Sequence, residues 1–215
     1  MLRVGLTGGL GSGKSTAARL FAEHGAHVLG SDDLGRELMQ QGEAVYTAII
    51  KSFGPGIVLP DGSLDRAALA RMSFEQGRVE ELNGIVHPAV ITRQERLIEE
   101  IAASEPDAIV VIESALIFET KFGGPGGWRK RFDKMVLITA PETLKVARFL
   151  ERAGATAETR AALEAEAHRR LALQMPDEEK APFCDYVLHN DRDITAFALQ
   201  VEQVWQSLVS ILRRL

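Results

Sequence analysis

The stretch Gly8-Gly9-Leu10-Gly11-Ser12-Gly13-Lys14-Ser15-Thr16 constrains this chain more than any other feature. It satisfies G-x-x-x-x-G-K-[ST] between a short apolar run, Leu2–Thr7, and a segment, Lys14–His24, in which Ala17, Ala18, Leu20 and Phe21 recur at helical spacing. Strand, glycine loop and helix in that order let backbone N–H groups turn inward around a polyphosphate. Glycine permits the close approach, and the opening turn of the helix adds free N–H groups and the positive end of its dipole. The loop amides of Gly11, Ser12 and Gly13 are placed to cradle the phosphates and Lys14 to neutralise the β and γ oxygens. Ser15 is placed to ligate Mg²⁺ through its hydroxyl and Thr16 to hold the α-phosphate side. The bland alternative, a glycine turn with a solvated lysine, has no need of a strand before it and a helix after it.

Further apolar runs lack alternation: Ala26–Leu29, Ala108–Ile112 and Met135–Ile138, with Tyr186–His189 as a fifth. Such runs predict strands buried on both faces, as in a parallel sheet. Helical patterns fill the spaces at 88–103, 141–152, 158–173 and 193–214, so the class is α/β, doubly wound. From about Leu34 to Arg96 no convincing core strand occurs, and the segment 34–103 reads as a mainly helical insertion, with turn punctuation at Gly54–Ser63. Gly123–Gly127 is predicted to be a flexible loop, followed by the basic run Trp128–Arg131. With 215 residues, 46% of them hydrophobic, the chain fits one domain carrying a sizeable insertion.

A net charge of −5 gives no general attraction for nucleic acid or anionic lipid. The longest apolar stretches fall far short of the roughly 18 to 20 residues of a membrane span. No export signal is visible and the lone cysteine, Cys184, has no disulfide partner, so the expectation is a cytoplasmic protein. Oligomeric state is not legible.

In a doubly wound sheet the chemistry gathers at the carboxyl ends of the strands. The second strand leads into Ser31-Asp32-Asp33, where one carboxylate is placed to accept the proton of an attacking hydroxyl and the other to cap a helix beginning near Leu34. Arg36 lies one helical turn on. Glu113 follows the third strand where a metal-ordering acid belongs, with a solvated loop charge as its alternative. His87 precedes Pro88, which suits the first position of the next helix; a capping or surface histidine is the simpler reading of it. Residues 145–170 carry Lys145, Arg148, Arg152, Arg160, Arg169 and Arg170 against four glutamates. They read either as an arginine lid closing over ATP or as an exposed, salt-bridged helix pair. No Asn-Lys-x-Asp guanine reader and no Ser-Gly-Gly transporter signature occur. What remains is a small kinase or a nucleotide-dependent switch.

Taken together, these residues resemble the dephospho-CoA kinase family of P-loop kinases. The opening Leu6–Thr16, then Ser31-Asp32 with Arg36, Phe53-Gly54, Asp61-Gly62-Ser63-Leu64-Asp65-Arg66 and Leu82-Asn83 with His87-Pro88 are similar to that family's motifs, and in its order. So are Leu116–Glu119, Arg148 with Arg152, Gln174-Met175-Pro176, Lys180, Asp185 and Asn190, so the likeness spans about residues 3–205. The resemblance implies a three-layer P-loop kinase fold on a five-stranded parallel sheet. Its nucleotide core would be residues 1–33 and 104–215 with a lid at about 145–172, and 34–103 would bind the acceptor. It implies ATP and Mg²⁺, with transfer to the ribose 3′-hydroxyl of dephospho-CoA. Asp32 would be the general base, Lys14 and the loop amides would hold ATP, and Arg148 would act catalytically from the lid. Asp32, Arg36, Arg66 and His87 would meet the acceptor. Another nucleoside or nucleotide kinase of this fold is the nearest rival, and a non-catalytic nucleotide switch the next. The chain departs from the family's Asp-Ala-Asp with Gly30-Ser31-Asp32-Asp33, and Ala115 and Lys145 stand where the family has Pro and often Gln.

Overall fold

The computed structural model describes residues 1–121 and 127–214. In chain order the elements are β1 (Leu2–Gly8), α1 (Lys14–Glu23), β2 (His27–Gly30), α2 (Ser31–Leu38), α3 (Ala44–Phe53), α4 (Arg66–Glu75), α5 (Val79–Ser104) and β3 (Ile109–Glu113). Then follow α6 (Gly127–Arg131), β4 (Lys134–Thr139), α7 (Glu142–Arg152), α8 (Arg160–Ala172), α9 (Asp177–Lys180), β5 (Tyr186–His189) and α10 (Ile194–Leu212). The described residues fall into two compact units. One comprises Met1–Leu29, Ile101–Thr120 and 127–214; the other comprises Gly30–Glu100 and Lys121.

The first unit is built on a parallel sheet whose five strands, among the described residues, lie in the order β2-β3-β1-β4-β5. β1 is central, pairing β3 on one side and β4 on the other, with Leu6 opposite Glu113 and Val136. Alternating residues of one face, Val4, Leu6, Val111, Val136 and Ile138, are buried with Phe21 of α1 and Phe197, Val201 and Leu208 of α10. Residues pointing the other way, Val110, Ile112, Met135 and Leu137, are buried as well. Burial on both faces explains why these strands are unbroken β-branched and aliphatic runs.

The second unit packs α3, α4 and part of α5 around Val45, Ile49, Phe53, Ile57, Leu64 and Leu69. The predicted turn at Gly54–Ser63 is present as a small hairpin-like link. Val58 and Leu64 form an antiparallel bridge, and the Asp61 carboxylate accepts from the Ser63 N–H and hydroxyl. Asp65 caps α4 by accepting from the Ala68 N–H at 2.9 Å.

Two local readings are corrected. α2 begins at Ser31 with Gly30 as its cap and without a side-chain cap bond, so neither Asp32 nor Asp33 caps it; both lie in its first turn. Asp33 is engaged one turn on, in an ion pair with Arg36 at 2.5 Å. Pro88 lies inside the 26-residue helix α5 rather than at a helix start. Its missing N–H would have met the carbonyl of Gly84, and packing of Ile85, Val86 and Ala89 against the unit's core holds the helix through that gap. Of the predicted loop Gly123–Gly127, residues 123–126 lie outside the described residues.

Candidate active site

The phosphate loop joins β1 to α1. Gly11 (φ +70°) and Gly13 (φ +100°) adopt the left-handed conformation that side chains disfavour. The loop turns back on itself through a 3.2 Å bond from the Ser12 N–H to the Gly9 carbonyl, and the Lys14 ammonium reaches across to the same carbonyl at 3.1 Å. α1 starts with no side-chain cap and no acidic residue in its first turn. The positive end of its dipole is therefore left for an anion.

Ser15 donates its hydroxyl to Glu113 Oε1 at 3.2 Å. Glu113 is the last residue of β3, the neighbour of β1, so the parallel register delivers a carboxylate beside the opening of α1. A hydroxyl and a carboxylate side by side are hard oxygen donors of the kind Mg²⁺ takes when it also binds phosphates and water.

On its outer side the loop is held by residues for which composition gave no warning. Leu10 packs with Val146, Phe149, Leu150 and Ala167, where α7 meets α8. The Leu10 N–H donates to Gln174 Oε1 at 3.0 Å, and the Ser12 carbonyl accepts from Asn190 Nδ2 at 2.9 Å. Arg148 donates through Nη2 to the Asn190 carbonyl at 3.0 Å. Arg148 Nη1 and Ser12 Oγ are buried without a protein partner among the described residues. The predicted arginine-rich segment thus divides. Arg148 faces the loop's support, whereas Arg169 and Arg170 pair with Glu166 on their own helix at 2.5 and 2.6 Å and hold its carboxyl below the usual range. Lys145 is buried against Asp177, which also accepts from the Thr139 hydroxyl. Lys180, fully buried, pairs with Glu119, which accepts from the Met175 N–H as well. The short basic helix α6 sets Trp128 edge-on to Phe118 and lays Arg129 over the Trp128 ring. Burial pushes the Cys184 thiol up to about 12, so it is protonated and inert, in keeping with a packing role.

The second unit carries the remaining predicted residues. Asp32 is exposed, and Ser31 accepts from Gln94 at 2.9 Å. Arg36 points back to Asp33. Arg66, the first residue of α4, is exposed; the Asp-Gly-x-Leu-Asp part of its motif is spent on the turn and the cap. His87 lies within electrostatic reach of Asp32 and Glu80, and its own burial pulls its pKa below the ordinary imidazole value. The unfolded chain therefore takes up that proton first. The stabilisation is full above a pH of about 6.5 and is lost as pH falls through the lower folded value. Urea unfolding between pH 7.5 and 5 is expected to show His87→Gln losing less stability on acidification than the parent chain, whereas parallel profiles would remove His87 as the titrating group.

Comparison with known proteins agrees with this geometry. The family model for Dephospho-CoA kinase matches residues 2–196. Curated dephospho-CoA kinases from Symbiobacterium thermophilum and Moorella thermoacetica are 36% and 34% identical over 95% and 97% of the chain, covering 80% and 92% of their own lengths. A crystal structure from Thermus thermophilus superposes with a TM-score of 0.73 at 31% identity, covering 98% of this chain and 97% of that one. The dephospho-CoA kinase of Campylobacter jejuni, at 19% identity, shares the fold with a TM-score of 0.59 over 96% of both chains. With a phosphate loop of this geometry, an acid at the end of β3 and a family match running almost end to end, the chain belongs to the dephospho-CoA kinase family.

Proposed function

We propose that this chain transfers the γ-phosphoryl group of ATP to the ribose 3′-hydroxyl of dephospho-CoA, giving CoA and ADP. The observation that carries the reading, beyond the family itself, is the Ser15–Glu113 contact at the mouth of a phosphate loop. Loop amides and Lys14 bind the β- and γ-phosphates and remain with the charge as it moves during in-line transfer. Ser15 and Glu113 would hold Mg²⁺ between them. When bound, the ion neutralises and orients the phosphate oxygens. Asp32, two residues beyond the end of β2, accepts the proton of the attacking 3′-hydroxyl as its oxygen bonds to the γ-phosphorus and the bond to ADP breaks. His87, which shares its neighbourhood, and the exposed Arg66 serve the acceptor, a polyanion. Arg36 joins them when it leaves Asp33, and Arg148 offers to the transferring phosphate its Nη1, which has no hydrogen-bond partner among the described residues.

The test is ADP release from Mg-ATP with dephospho-CoA, adenosine, AMP, CMP or no acceptor. Release confined to dephospho-CoA, with CoA as product, is expected; equal release across the panel defeats the reading. Asp32→Asn is expected to lower kcat by roughly 10²- to 10⁴-fold with ATP affinity little changed. Unchanged turnover would transfer the base role to another group.

A further inference from the structure

The phosphate loop is gripped from outside at two points, and the two grips are complementary. Gln174 takes the N–H of Leu10 in the first half of the loop, and Asn190 takes the carbonyl of Ser12 in the second. Neither bond is available to the nucleotide. The Asn190 bond fixes the peptide plane that joins Ser12 to Gly13, and so which way the Gly13 N–H faces; the Gln174 bond fixes the plane that joins Gly9 to Leu10, and so which way the Gly9 carbonyl faces, the acceptor of the Ser12 N–H and of the Lys14 ammonium. Asn190 is itself oriented: Arg148 sits on its backbone carbonyl and, at 3.4 Å, on its side-chain oxygen, leaving the Nδ2 end for Ser12. Asn190 is 8% exposed, so an amide turned the other way would bury mismatched polar atoms against both the guanidinium and the Ser12 carbonyl. Space is equally tight, because a Cβ at Gly13 would overlap Asn190 Nδ2. Gln174 lies in the segment that continues into Asp177 and Lys180, which pair with Lys145 and Glu119, so its position is set by two further ion pairs.

We propose that Asn190 and Gln174 are positioning residues for phosphoryl transfer, holding the peptide planes of the loop so that its amides face the ATP phosphates before ATP arrives. Arg148 acts on the loop through Asn190 in addition to any contact it makes with phosphate. Preorganised donors need no reorientation as charge develops, which is where loop amides contribute most to rate. The proposal rests on ATP being the bound nucleotide and not on the identity of the acceptor.

Three variants separate positioning from mere support. Asn190→Asp keeps an oxygen for Arg148 but removes the donor to Ser12 and sets a carboxylate against its carbonyl. Gln174→Met removes the acceptor of the Leu10 N–H at similar volume, and Gln174→Glu restores an oxygen. Asn190→Asp and Gln174→Met are expected to weaken Mg-ATP binding measured by calorimetry roughly tenfold and to lower kcat by a comparable factor, with KM for the acceptor unchanged. Gln174→Glu is expected to recover most of the loss. Variants that lower Tm but leave ATP affinity and kcat alone would overturn the proposal, as would an equal rise in acceptor KM. Calorimetry needs no acceptor. A parent chain that binds Mg-ATP yet leaves dephospho-CoA unphosphorylated would sink the acceptor assignment alone, and the binding data would still decide the roles of Asn190 and Gln174.

Discussion

Lys14→Ala is expected to lower kcat/KM for phosphoryl transfer by roughly 10³-fold, about 4 kcal/mol of transition-state stabilisation, while leaving the chain folded. The ammonium is the one side-chain cation carried by the loop itself, and in the proposed reaction it stays with the γ-phosphoryl charge as that charge moves from ADP to the acceptor. Its bond to the Gly9 carbonyl is partly exposed and of a kind that contributes about 1 to 2 kcal/mol to stability, so the far-ultraviolet spectrum is expected to be unchanged and Tm to fall by only a few degrees. A folded variant with full turnover would show that the charge is supplied elsewhere, and Lys145, buried close to Gly9, would be the first group to examine.

Gly11→Ala is expected to damage both stability and turnover. Gly11 has φ +70°, which costs a non-glycine residue on the order of 1 to 2 kcal/mol. A Cβ there would also run into the backbone carbonyl of Lys145, an atom inside helix α7 that cannot swing aside. Overpacking of this sort adds roughly 1 to 3 kcal/mol. A total near 3 kcal/mol corresponds to a fall in Tm of about 6 to 12 °C for a chain of this length. Relief of the overlap has to come from moving the loop off α7, which disturbs the amides proposed to bind phosphate, so turnover is expected to fall about 10²-fold in the folded fraction. Thermal melting and single-turnover transfer measured on the same sample check both halves. An alanine variant with the parental Tm would mean that α7 yields to the loop.

How far the chain is readable depends on the range of the interaction concerned. The phosphate loop was legible because its requirements are local: glycines at left-handed positions, a strand directly before and a helix directly after. The strands were legible because burial on both faces leaves an unmistakable run of aliphatic residues. The start of α2 is not legible locally, because Asp32 and Asp33 are good cap residues by type, whereas the chain uses Gly30 at the cap and commits Asp33 to Arg36. Pro88 suits a helix start by type, but tertiary packing outweighs that local preference and keeps it inside α5.

By itself, then, the sequence determined a parallel α/β P-loop fold, the strand–glycine loop–helix unit at its start and the family to which the chain belongs. These follow from short-range spacing and from the ordered series of motifs along almost the whole chain. Only the tertiary structure decided that Ser15 meets Glu113 across 98 residues, that Arg148 bears on Asn190 rather than standing free, and that Gln174 and Asn190 hold the loop from 164 and 178 residues away. The physical reason is that a hydrogen bond between distant residues leaves no periodicity and no composition behind it. Its partners are ordinary Ser, Glu, Gln and Asn until the parallel register of β1, β3, β4 and β5 brings them to one edge of the sheet.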